Sequence, residues 1–350
     1  MTTFADAIGS ALLSQIDELS TSLPDDPAFD DFVGELRGVI HAGGKRLRPE
    51  FCKWGYLAGG GDDLDALVPV AAALEFVHMC ALVHDDVMDN AGMRRGRPTT
   101  QVSFARIHAE RGWPGDADAF GRSAAILIGD LAFVLADRMM ITASFPFERV
   151  AAAYRQYTEM RVEVTAGQFL DLVESRRHSA QTEVALTVAE LKTSRYTVER
   201  PLLVGAALND PDAGLGEALS RYGRPLGLAF QLRDDLLGAF GDETHTGKPV
   251  GGDFREGKQT YLLARTREAA GPAELEQLDA LVGNAALDAA DVAQIQQIVI
   301  ESGARDDTEA IVEKLSDEAI AVLHTPGSPV EPEAAAGLET LARSVAFRDS

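Results

Sequence analysis

Cysteine is nearly missing: Cys52 and Cys80 are the only two in 350 residues. That is too few for a disulfide framework, and a reducing, cytoplasmic setting is expected. Positive charge is also scarce. Lysine and arginine total 32 against 55 acidic residues, a formal net charge of −23. Nucleic acid and anionic membrane are thereby excluded as main partners, since both need a basic footprint. Any phosphate site must be a local cationic cluster in an acidic protein. Residues 64–83 form the most apolar stretch, but it carries Asp65, Glu75 and His78 and ends in carboxylates. It reads as a buried core helix, and no transmembrane segment is expected. The start, Met1-Thr-Thr-Phe-Ala-Asp6, lacks the basic residues of a secretory signal. Strand-like alternation is almost absent, as is any repeat with a period of about 20–50 residues.

What is present is an ordinary globular composition, 46% hydrophobic and 25% charged, patterned for helices. Helical spacing covers residues 5–24, closed by Pro24, then about 29–41, about 64–89, 123–142, 150–174, 186–208 and 306–322. Residues 109–121 read as a loop. The breaker cluster Thr325-Pro-Gly-Ser-Pro329-Val-Glu-Pro332 separates a main body, 1–324, from a short C-terminal helix or tail, 325–350. The fold class is all-α.

The chain is organised around Ala81-Leu-Val-His-Asp-Asp-Val-Met-Asp89. On a helix, Asp85 and Asp89 lie one turn apart on one face, where unpaired carboxylates repel. A hard divalent cation relieves that repulsion, and Mg²⁺ is typically held by one or two carboxylates plus substrate phosphates. Five residues beyond Asp89 comes Arg94-Arg95-Gly96-Arg97-Pro98. An anion bridged by metal on one side and guanidinium on the other would use both groups. Upstream, Gly43-Gly44-Lys45-Arg46-Leu47-Arg48-Pro49 puts cations on a flexible turn. A second acidic helix, Phe230-Gln231-Leu-Arg-Asp234-Asp235-Leu-Leu-Gly238, rhymes with the first and could face it across a cavity. The Gly/Pro-rich segment after it, residues 241–260, holds Lys248 and Lys258 and looks like a lid that closes on phosphate.

Together with Glu75-Phe-Val-His78, Gly167-Gln168 and Lys192-Thr193, these motifs resemble, in order from residue 43 to about 260, the trans-isoprenyl diphosphate synthases (polyprenyl synthetases). The resemblance implies the isoprenoid synthase fold, a large single-domain helical bundle around a central cavity, and a homodimer. It implies that Lys45, Arg48, His78 and Arg95 hold isopentenyl diphosphate. Arg94, Lys192, Lys248 and Lys258 would hold the allylic diphosphate. Asp85, Asp86 and Asp89, with Asp234 and Asp235, would ligate about three Mg²⁺ ions, hard cations that take oxygen ligands. Thr193 and Gln231 would line the place where positive charge develops, and His84 and His108 are left structural. One departure stands out: the second motif, typically DDxxD, ends here in Gly238. Asp242 lies four residues on, with no basis for substituting it.

Product length is expected from the first acidic helix. A turn rises about 5.4 Å, similar to one isoprene unit. Cys80 and Ala81, one turn above Asp85, are small, with Val77 and Leu74 beyond them. The tail should pass them and end at C20, geranylgeranyl diphosphate. A plug such as Phe133 would give C15, and no plug at all C25 or longer. Two rivals remain: a class I terpene cyclase, which leaves Lys45, Arg48 and His78 unexplained, and a non-catalytic partner subunit, hinted at by Gly238.

Overall fold

The computed structural model describes residues 3–177, 181–209, 213–241 and 250–346. Among these residues the only regular structure besides helix is one hairpin. The chain divides into two compact units, Met1–Lys53 with Gly61–Tyr154, and Trp54–Gly60 with Arg155–Ser350.

In the first unit, α1 (Phe4–Ser22) opens on a capping box between Thr3 and Asp6 and buries Ile8, Leu12, Ile16 and Leu19. The predicted periodicity is thus the buried face. Helix α2 (Pro27–His41) starts at the Asp26 cap. Helix α4 (Leu64–Met88) is buried on nearly all sides. Among the described residues it alone is apolar and long enough to cross a membrane, and most of that window is buried inside the protein. It packs along α6 (Ala117–Ile141), which begins earlier than its periodicity predicts because Asp116 caps the backbone N–H groups of Asp118 and Ala119. The two helices approach closely at Gly129, where a Cβ would collide with the His84 ring. His84 Nε2 lies 3.1 Å from the Ile126 carbonyl oxygen. Between α4 and α5 (Thr100–Glu110), strands β1 (Met93–Arg94) and β2 (Arg97–Pro98) pair antiparallel. Their two-residue turn, Arg95-Gly96, has positive φ at both positions (51° and 74°), as a tight hairpin of this hand requires.

In the second unit, the helix predicted over 186–208 is three consecutive segments. These are α8 (Thr182–Ala189), a π-helix (Glu190–Glu199) and α9 (Arg200–Ala207). The Arg200 N–H bonds the Arg195 carbonyl five residues back, and Pro201, which has no N–H, follows at once. Helix α10 (Ala213–Phe240) carries the second acidic motif. Its buried Tyr222 donates to the Leu338 carbonyl at 2.8 Å. The C-terminal helix, Pro332–Ala346, is therefore a docked element: Leu338 and Ala342 are fully buried, and Gly337 lies against the Trp54 ring. Within the expected 241–260 loop sits a short helix, Gly252–Glu256, bounded by the left-handed glycines Gly251 and Gly257. Lys248 and Asp242 lie outside the described residues.

Candidate functional site

Along α4, Glu75, His78, Ala81, Leu82 and Asp85 are half-buried while the residues between them are mostly buried. Their spacing is that of one helix face. Asp89, exposed, caps the same helix. Asp85 thus shares a face with His78 and Ala81. Cys80 and Val77 are buried, and Cys80 Sγ lies 3.6 Å from His84 Nδ1.

Around that face the first unit gathers its cations. Arg46 lies 3.5 Å from Glu75. Glu75 is held above the ordinary carboxyl range by burial, against the pull of Arg48, Arg46 and Arg95. Burial, reinforced by the charges of Arg48, Arg95 and Arg94, holds His78 well below its ordinary pKa, so its imidazole is neutral. Burial likewise lowers Arg95, although Glu75 opposes the shift. The loop and the hairpin meet at Gly44, where a Cβ would stand 3.0 Å from the Arg95 guanidinium nitrogens. Arg46 and Arg95 both take left-handed backbone angles (φ 47° and 51°). Such strain in non-glycine residues persists where surrounding structure enforces it, often at sites of function. Arg94 donates from Nε to Asp86 at 2.6 Å and lies 3.7 Å from Asp85. Asp86 differs from its neighbours in being buried. Burial raises its pKa despite Arg94, and Gln101 binds its backbone carbonyl.

The second unit assembles a separate set. Lys192, on the π-helix, donates to Asp171 of α7 (Phe147–Arg177) at 2.7 Å. Thr193 donates to Gln231 Oε1 at 2.5 Å, and Gln231 Nε2 donates to Asp235 at 2.7 Å. Asp235 is buried, and burial pushes its pKa up to about 7, with Asp253 adding to the effect and Lys258 opposing it. Lys258 is held above the ordinary lysine range, first by Asp253 and, against burial, by Asp235 and Asp171. Lys192, Lys258, Asp171, Asp235 and Gln231 thus form one linked polar group.

Sequence reasoning missed Asp253. A Cβ on Gly238 would lie 2.5 Å from Asp253 Oδ2. A carboxylate from the short helix fills the space above the position where the second motif departs from DDxxD. The available signal was its place five residues before Lys258 in Gly251-Gly-Asp253-Phe-Arg-Glu-Gly-Lys258.

The donors fit Mg²⁺. Asp85 and Asp89 offer hard oxygens one turn apart, with the Arg94 guanidinium 3.7 Å from Asp85. Among the described residues no three acidic, His or Cys side chains converge on a closed metal site. A cation held there would take its remaining oxygens from substrate phosphates and water.

Residues 33–299 match the polyprenyl synthetase family model. Among solved structures, geranylgeranyl pyrophosphate synthase from Corynebacterium glutamicum, in complex with isoprenyl diphosphate and magnesium, superposes with a TM-score of 0.92. The two share 35% identity over 99% of each chain. A short chain isoprenyl diphosphate synthase of Methanocaldococcus jannaschii is 32% identical over 78% of this chain and 77% of its own. A geranylfarnesyl diphosphate synthase of Aeropyrum pernix is 31% identical over 80% and 83%. With the motifs ordered along an all-helical chain and the match covering most of it, the protein belongs to the polyprenyl synthetase family and is a prenyltransferase of the trans-isoprenyl diphosphate synthase type, with the isoprenoid synthase fold.

Proposed function

We propose that the protein is a Mg²⁺-dependent geranylgeranyl diphosphate synthase, joining isopentenyl diphosphate to C5, C10 and C15 allylic diphosphates. The observation that carries the chain length is Ala81: a methyl side chain, half-buried, on the same face of α4 as Asp85 and one turn from it. A tail leaving the carboxylates along that face would meet only a methyl group at position 81. The named relatives make C20 and C25 products or unspecified short chains, so product length rests on this chain's own residues.

Lys45, Arg48, Arg95 and the neutral His78 would hold the diphosphate of isopentenyl diphosphate, His78 as an uncharged hydrogen-bonding group among guanidinium charges. Arg94, Lys192 and Lys258 would hold the allylic diphosphate, with Lys248 of the adjoining segment. Bound at Asp85 and Asp89, with Asp234 and Asp235 as the second motif's carboxylates, Mg²⁺ would act as a Lewis acid that neutralises charge on the leaving diphosphate. Breaking the allylic C–O bond separates a carbocation from that diphosphate, so preorganised lysines and arginines lower the barrier. Thr193 and Gln231, already hydrogen-bonded to one another, present oxygen dipoles for the cation. The double bond of isopentenyl diphosphate attacks it, a carbon–carbon bond forms, and the proton lost leaves on the released diphosphate.

Asp253 above Gly238 gives that glycine a packing reason, which removes the one hint of a non-catalytic subunit. Buried, unpaired Cys52 and Cys80 fit a cytoplasmic protein. For a homodimer, the supporting feature is a stripe on α6, with Leu127, Val134 and Ile141 at two-turn intervals, each more than half exposed. An apolar row of this kind fits a second copy.

A farnesyl-producing reading is favoured by Phe133, which is half-buried on α6, the neighbour of α4. Incubation of the purified protein with Mg²⁺, labelled isopentenyl diphosphate and C5, C10 or C15 primers, followed by product sizing, tests both. A C20 end product is expected. Accumulation of C15 would favour the Phe133 plug, and failure to consume isopentenyl diphosphate would overturn the synthase reading.

A further inference from the structure

A π-helix is rare, and its wide turn survives where surrounding contacts hold it. Here it runs Glu190–Glu199 and carries Lys192 and Thr193, so the aim of both side chains depends on keeping the five-residue hydrogen-bond register. If the segment relaxed to an ordinary α turn, its side chains would rotate about the axis.

Two neighbouring helices grip it. On α7, Gly167 lets the π-helix come so near that a Cβ would stand 2.9 Å from the Lys192 backbone nitrogen. On α10, Gly227 does the same toward Ser194, whose hydroxyl donates to the Arg224 carbonyl at 2.7 Å. Close approach alone does not fix register. Directional ties do, and the one that joins the start, middle and end of the segment is made by one carboxylate.

Glu163 of α7 accepts from Arg195 Nη1 at 2.7 Å, inside the π-helix. It also accepts from Arg200 Nε at 2.7 Å and Nη2 at 2.5 Å, immediately after the π-helix. Arg195 reaches back to Glu190 with Nε (2.9 Å) and Nη2 (2.6 Å), at its first residue. Start, middle and end of the irregular segment are thus tied through Glu163. The side chain of Glu163 is only 12% exposed. Although burial opposes it, hydrogen bonds from Arg200 and Arg195 hold its carboxyl below the ordinary range. The planar guanidinium fork of Arg200 on Glu163, and that of Arg195 on Glu190, fix direction as well as distance.

We propose that Glu163 is a positioning residue for prenyl transfer: by holding Arg195 and Arg200 together it sets the π register and so aims Lys192 and Thr193. The inference rests on the reading that Lys192 and Thr193 serve the allylic substrate.

The test compares E163Q, E163D and R195K with K192A, in the full-length protein with Mg²⁺. Misplacing a reacting group by about 1 Å costs about a hundredfold, so E163Q should lower kcat by about ten- to a hundredfold. It should also raise the KM for geranyl diphosphate and weaken binding of its non-ionising thio analogue, with the KM for isopentenyl diphosphate nearly unchanged. E163D, which keeps the charge, should recover part of the loss. Hydrogen exchange should quicken across 190–200 and not along α4. A lowered Tm in E163Q with unchanged kcat and allylic KM would overturn the proposal, because Glu163 would then be a stabilising ion pair alone. R195K, which keeps charge but loses the fork, gives the same readout should E163Q fail to fold. If K192A itself turns over normally, the reading of Lys192 fails first. If K192A is inactive while E163Q and R195K match wild type, the positioning claim alone fails.

Discussion

Gly238 and Asp253 occupy one space between them: the glycine has no side chain, and the aspartate Oδ2 lies 2.5 Å from where a Cβ would be. The sequence alone presents Gly238 as a lost carboxylate, whereas the structure shows another carboxylate brought in by the short helix after the loop. Asp253 also raises the pKa of Lys258 more than any other neighbour does. Restoring the motif by Gly238→Asp should therefore harm the enzyme, since two carboxylates would compete for one volume. We expect kcat to fall and Tm to drop, the crowding costing about 1–3 kcal/mol. Gly238→Ala should be milder, and less costly still in a D253A background. A double-mutant cycle in Tm reads that coupling, and additive costs would disprove the shared space.

Ala81 and Cys80 are adjacent and similar in size, yet they face different surroundings. Ala81 is on the half-open face with Asp85, while Cys80 is 6% exposed and in contact with His84. Ala81→Phe should shorten the main product from C20 to C15 or C10 with little change in Tm. Cys80→Phe should instead overpack a filled interior at a cost of about 1–3 kcal/mol and unsettle His84 against Gly129. Chromatography of dephosphorylated products, with a melting curve for each variant, separates the two effects. An unchanged product spectrum in A81F would remove the chain-length argument.

The helices were legible because the buried face of α1 follows from spacing and the burial of α4 from its long apolar run, and the motif residues because carboxylates and cations in short order have few uses other than phosphate and metal. Three things were not legible. The π-helix leaves no composition signal, since its register depends on Glu163, far away in sequence. Asp253 looks like a loop acid until Gly238 is seen beneath it. The left-handed backbone of Arg46, and of Arg95 in its two-residue hairpin, has no signal in arginine of the kind that Gly43 or Gly96 gives. The first two are tertiary effects on locally ordinary residues.

Chelating divalent cations should abolish turnover while leaving the apo melting temperature nearly unchanged. The end of α4 is secured by side chains around it, through the Asp86–Arg94 pair and the Gln101 bond to the Asp86 backbone carbonyl. D85N should lower kcat by about 10²–10³-fold, the scale for removing one preorganised electrostatic element. It should also weaken Mg²⁺-dependent binding of the allylic thio analogue, measured by calorimetry. Asp86→Asn is expected to differ, lowering Tm as well, because the half-buried Arg94 guanidinium loses the buried carboxylate it pairs with. A D86N enzyme with wild-type Tm would refute that distinction.

Glu163 also predicts a pH dependence. Its carboxyl sits below the ordinary value of 4.5, held there against burial by hydrogen bonds from Arg200 and Arg195. A group depressed on folding stabilises the protein fully above its unfolded pKa and loses that contribution as pH falls through the folded value. The Tm advantage of wild type over E163Q should therefore be constant from neutrality down to about pH 5, then shrink below the ordinary carboxyl pKa. Arg195 and Arg200 stay charged across that range and contribute no slope of their own. Melting curves of both proteins between pH 7 and about pH 3.5 provide the check, with reversibility confirmed at each step. A gap that widens on acidification would mean that Glu163 is protonated in the folded protein, and the directional tie across the π-helix would have to be abandoned.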